Sequence, residues 1–238
     1  MAMVKRVSWG AALMVVVAGG VGAMGQSVAA TGKGEVLPGG AAGDYSEPKK
    51  TIASFLSAVQ STDEKAIREA IVVSPEQAPA VDAYLKLILA TNKLQKAAEK
   101  KFGDQAEQFF GVNAKQMEAR LKAVEDAPAK MVGGSAIIEI AADEATHQPG
   151  GTIVVKKVGD QWKLDAGSLF KLNETPKEQT EKSVSLAGKM APLTDEMTSE
   201  IEAGKFASAS EAFQAFWQRS LELVKESAGT MPAATQGK

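Results

Sequence analysis

His147, the only histidine in the chain, follows Asp143 by four residues. On a helix that spacing would bring imidazole and carboxylate together, and the pair could move a proton. Gln148-Pro149-Gly150-Gly151 follows at once and reads as a loop, and no Ser or Cys is tied to His147 by spacing, so His147 reads as a polar loop residue. A single histidine and no cysteine also remove the usual zinc ligand sets, thiol nucleophiles and disulfides. Neither a metal nor an organic cofactor is expected.

Two carboxylates remain as candidates for acid or base chemistry. Glu139 sits among Ile137, Ile138 and Ile140 in a strand-like run. Turned toward a covered face it would be a buried acid with a raised pKa, and turned the other way it would be solvated; alternation allows both, and the solvated reading is preferred. Asp165 closes the run Gln161-Trp162-Lys163-Leu164-Asp165. Trp162 would wall any pocket these acids face, and Tyr84 is a further pocket candidate. The adjacent Glu125 and Asp126 do not make a catalytic pair on one strand, because neighbours there point to opposite faces.

Several short patterns match catalytic or modification signatures by chance. Ser168-Leu169-Phe170-Lys171 and Ser46-Glu47-Pro48-Lys49 both have Ser-x-x-Lys spacing, without the companion elements that penicillin-binding enzymes need. Gly20 to Ser27 has phosphate-loop spacing but places Gln26 where lysine is required. Asn173-Glu174-Thr175 is a glycosylation sequon. Lys86, Lys93, Lys96 and Lys100 fall near one side of a helix and read as its solvated face.

The elements that must position these residues begin after residue 47. Lys5 and Arg6 followed by the uncharged stretch Val7 to Val21, then small residues, match an export signal over residues 1–30 with cleavage between Ala23 and Ala30. A glycine-rich leader follows over 31–47. Removal of the signal takes two positive charges from a chain with 27 Lys plus Arg against 29 Asp plus Glu, so no basic surface for nucleic acid is expected. The expectation is a periplasmic or extracellular protein with no stable membrane span after cleavage.

Ile52, Phe55, Leu56 and Val59 predict one helix, and Ser61 with Glu64 reads as the capping box of a second that presents Ile67, Ala70 and Ile71. A long helix starts at Ser74 or Pro79 and stops at Gly103; a short segment carries Phe109 and Phe110, and another helix carries Met117, Leu121 and Val124. Two hairpins follow. Gly133-Gly134 turns the first, whose leading run is confined to a sheet edge by Pro128, and Gly159-Asp160 turns the second. In the last strand Trp162, Leu164 and Ala166 should be buried, with Gln161, Lys163 and Asp165 wet. The fold class is α+β: a curved antiparallel sheet of two hairpins over 48–172, covered by the N-terminal helices, with a helical extension over 173–226 and a tail over 227–238. In the extension, Thr175-Pro176-Lys177-Glu178 should cap a helix that Pro192 ends, Gly204 breaks a further turn, and Ser208 with Glu211 caps the last helix. Phe213, Phe216, Trp217, Leu221 and Val224 line one side of it, as core or as a ridge for a partner.

The helix pair followed by hairpins, ending in Gly159-Asp160-Gln161-Trp162-Lys163-Leu164, resembles secreted bacterial members of the nuclear-transport-factor-2-like superfamily over residues 48–170. The resemblance implies a curved sheet wrapped by helices into a cystatin-like cone, in a superfamily that holds enzymes, binding modules and scaffolds. The role expected is binding an unknown small molecule or an envelope protein. The alternative is a small-molecule hydrolase or isomerase, with Glu139 or Asp165 as acid or base and Trp162 as a wall.

Overall fold

The computed structural model describes residues 43–110, 114–141 and 151–229. The expected export signal and most of the leader, the Asp143–His147 pair and the tail beyond residue 229 lie outside them. The architecture is α+β, as the hydrophobic periods predict. Among the described residues no helix is long and apolar enough to cross a membrane.

Helix α1 spans Pro48–Ser61 and buries Thr51, Ile52, Phe55 and Ala58. Thr62, in the left-handed conformation, ends it. Helix α2, Glu64–Ala70, is capped by Asp63, whose side chain accepts from Ala66 N. The expected cap, Ser61, instead donates to Ala58 O at 3.1 Å and closes α1. Ile71 does not extend α2: Ile71–Val72 forms a short strand, β1, because its backbone finds a parallel partner far along the chain. Helix α3 spans Ala78–Phe102 with Pro79 in its first turn and Gly103 as its cap. A 3-10 turn, Gly103–Ala106, leads to α4, Glu107–Phe110, and then α5, Ala114–Asp126.

The strands β2 (Ala129–Val132), β3 (Ser135–Ile140), β4 (Gly151–Val158) and β5 (Gln161–Asp165) form the two expected antiparallel hairpins, and β1 adds to β5 in parallel, giving the order β1-β5-β4-β3-β2. Both tight turns use glycine where φ is positive: Gly133 and Gly134 at 51° and 78°, and Gly159 at 61°. Pairing of Ala136 with Val155, and of Val155 with Leu164, aligns the buried face. Helices α1 and α2 rest on β5, and α5 on β3.

Asp165 is buried, against expectation. Its Oδ2 accepts from Ser168 N at 2.9 Å and its Oδ1 from Lys156 Nζ at 2.7 Å, so it caps the short helix α6, Ala166–Leu169. Capping and pairing compensate the burial of the charge.

Helix α7 runs unbroken over Lys177–Glu202 with Pro192 inside it. Its N-cap is Pro176, without a side-chain cap bond; Thr175 Oγ1 bonds to Lys171 O instead. Proline removes the bond to the carbonyl four residues earlier, that of Gly188. Both Gly188 and Pro192 are exposed, so water can serve that carbonyl. Meanwhile Met190, Ala191, Leu193, Thr194, Met197 and Ile201 are buried and hold the helix on its course. Helix α8, Ala209–Gly229, follows a turn at Gly204. Helix α3 packs against α1 and, most extensively of all element pairs, against α7. Residues of α7 and α8 belong to the same hydrophobic cluster as the sheet and the first helices.

Candidate functional site

The side chains proposed for a pocket do not meet. Glu139 is exposed and pairs with Thr152 on the face opposite the buried Ile138 and its half-buried partner Ile153. Trp162 is 8% exposed in the core, on the same face as Leu164. Its backbone N–H donates to Tyr45 O at 2.8 Å, and the buried Thr51 hydroxyl lies 3.2 Å from its carbonyl. Tyr84 is 5% exposed with its ring 5.3 Å from that of Phe170; burial raises its phenol pKa, with the Ser183 hydroxyl acting the other way. Asp165 has one oxygen on a helix cap and the other on Lys156. Ile52, Leu85, Ile138, Val155 and Leu164 are almost fully buried in the shared core. A surface depression of about 460 Å³ opens elsewhere, lined by Gly43, Asp44, Tyr45, Ser46, Asp160 and Gln161. Among the described residues no cluster of three or more His, Cys, Asp or Glu could hold a metal ion.

The side chains that stand out are on α8. Its start follows from local chemistry. Gly204 turns the chain at φ 74°, Ser208 Oγ accepts from Glu211 N, and the Glu211 carboxylate accepts from Ala207 N at 2.8 Å. This reciprocal cap sets the direction of the helix. Ala209, Ala212 and Ser220 are buried on one side, and their small size lets α8 lie close to α7.

An ion network fixes the same contact. Arg219 Nη1 lies 2.9 Å from Glu200 Oε2 and 3.3 Å from Glu196 Oε1, and Lys205 Nζ lies 3.1 Å from Glu200 Oε1. Hydrogen bonds from Arg219, then Lys205, hold the Glu200 carboxyl below the usual glutamate range.

On the flank of α8 the aromatics divide. Phe213 and Phe216 pack against the core; Phe213 stands 5.4 Å from Phe109 and 5.8 Å, edge-on, from Phe110. Trp217 stacks on Phe213 at 6.4 Å and 18° yet remains 43% exposed, and Leu221, one turn on, is 40% exposed. Val224 continues the line half-buried and outside the core cluster. Trp217, Leu221 and Val224 thus form an apolar stripe anchored at one end by stacked rings and open along the rest. Such a rigid amphipathic surface suits a partner side chain or helix better than water. Helical spacing placed these residues on one side; their exposure depends on how α8 docks.

Comparison with protein-family models, curated proteins and solved structures finds no match to the chain.

Proposed function

We propose that this is an exported binding protein of the cell envelope that holds a partner chain through the Trp217–Leu221–Val224 stripe of α8. The carrying observation is the exposure of Trp217 and Leu221 one turn apart, on a helix whose other side is fixed by the Glu200–Arg219 ion pair. Tryptophan with a neighbouring aliphatic on a pre-ordered helix is a favourable centre for a contact, because little side-chain freedom remains to be lost on binding. The order of elements and the curved two-hairpin sheet support the nuclear-transport-factor-2-like reading, in which the cone is a scaffold and the helical extension the working part. The hydrolase or isomerase alternative draws less support from an exposed Glu139 and an Asp165 engaged at both oxygens.

The test is cross-linking in the source cell's envelope fraction, comparing the wild-type chain with a Trp217→Gln/Leu221→Gln double variant. One partner cross-linked by the wild type and lost in the variant, with unchanged thermal melts, is the expected result. Identical cross-links from both chains would remove the proposal. Mass spectrometry of the natively produced protein checks export: a new N-terminus between Ala23 and Ala30 is expected.

A further inference from the structure

Strand β2 is an edge of the sheet. All four of its residues are exposed, and Met131, at 59%, is the most open large apolar side chain among the described residues. The register tells which of its backbone groups are already used. A two-residue turn closes on Val132 and Ser135, so that pair exchanges both its bonds, and alternation gives the next exchange to Lys130 and Ile137. The bond from Lys157 N to Gly134 O, 3.0 Å, fixes the same phase from the far side of β3, because it turns Gly134, Ala136 and Ile138 toward β4. The N–H and C=O of Ala129 and Met131 therefore point out of the sheet. Groups so arranged fit an extended strand.

We propose that this strand is β2 of a second copy, and that two copies pair edge to edge, antiparallel, doubling the five-stranded sheet. Met131 presents donor and acceptor together, so a two-fold axis beside it lets each copy satisfy the other with a pair of backbone bonds. In that register Met131 meets Met131 and Lys130 lies opposite Val132, so no like charges face each other. The neighbouring two-fold registers fail. One centred on Lys130 faces lysine with lysine, their backbone groups already spent on Ile137; one centred on Ala129 sets Met131 opposite Ala127, which is buried and donates its N–H to Ala123 O at 3.1 Å.

Charge complementarity supports the same axis. Lys157 is exposed beside Gly134, on the side of the sheet that carries Met131 and α5. Asp126, also exposed, ends α5 just before β2. Among the described residues neither has an ion-pair partner. The two-fold lays the Gly133-Gly134 turn of one copy, with Lys157 one strand in, against the start of β2 in the other, where Asp126 stands on the same side. Symmetry makes that approach twice. Strand β1, at the opposite edge, has two residues, one of them buried, so pairing closes at two copies instead of running on as a fibre. An edge of four residues is short, and the dimer is accordingly weak and concentration-dependent. It uses none of the α8 stripe.

Sedimentation velocity of the chain as its source cell produces it, over about a hundredfold range of concentration, tests the pairing. A shift from one copy to two, and no further, is expected. Met131→Pro removes only the outward N–H and leaves the bonds of Lys130 and Val132 to β3, so it should stay at one copy throughout with an unchanged circular dichroism spectrum. A charge swap tests the register without touching the strand: Lys157→Asp should weaken the dimer about fivefold, and Asp126→Lys in the same chain should restore it. Trp217→Gln with Leu221→Gln should dimerise as the wild type does. One copy at every concentration, a dimer that folded Met131→Pro leaves intact, growth beyond two copies, or a Lys157→Asp loss that Asp126→Lys does not restore would overturn the proposal. A dimer abolished by the α8 changes alone would assign the self-contact to that stripe instead.

Discussion

Trp162 and Lys163 are chain neighbours on opposite faces of β5, so substituting each reads one face. Trp162→Ala removes a core ring and should destabilise the protein by about 3 to 5 kcal/mol. Lys163→Ala should change stability by less than about 0.5 kcal/mol; urea melts of the two variants check the contrast. Glu200 gives a pH-dependent counterpart. Arg219 and Lys205 hold its folded pKa below the usual value, so the pairing stabilises the fold above the unfolded carboxyl pKa of about 4.3 and loses that contribution as pH falls through the folded value. Glu200→Gln should therefore cost about 1 kcal/mol at neutral pH, with a deficit that shrinks as the melts are repeated in acid.

Helix α7 shows what an element tolerates when its neighbours hold it. Gly188 lies in its interior with open space around an added Cβ, so Gly188→Ala should stabilise the protein by about 0.5 to 1 kcal/mol in urea melts. Pro192 reads in the sequence as a stop because the lost backbone bond is a local fact, whereas the burial of Met190, Leu193 and Met197 on its two sides is not. The same division runs through the rest of the fold. The hairpins, the stop at Gly103 and the cap at Ser208 were legible, since turn and cap chemistry is written in a few adjacent residues. Strand β1 was not, because Ile71 and Val72 are strand only by pairing with Leu164 and Asp165. Asp165 was misplaced for the same reason: alternation put it in solvent, while the helix it caps and the lysine beside it bury it. In the candidate site, helical spacing put Phe213, Phe216 and Trp217 on one side of a helix, and only the docking of α8 separates the packed rings from the exposed one.

At the scale of the molecule, the C-terminal helices share the core of the sheet and the first helices. Helix α3 buries residues all along its length, from Val81 to Ala98, against α1 and against α7. A chain ending at Leu172 should therefore lose its cooperative thermal transition, which circular dichroism would show. The two-sided burial of α3 also bears on synthesis. A growing chain has made α3 long before Ile201, near the end of the covering helix, has left the ribosome, and the contacts that bring the largest gain are the last to become available. Stalled nascent chains should stay protease-sensitive until that point is passed. For the proposed exported protein, this delay keeps the polypeptide threadable, so a translocation pore that accepts only unfolded chain can take it without first pulling a native structure apart.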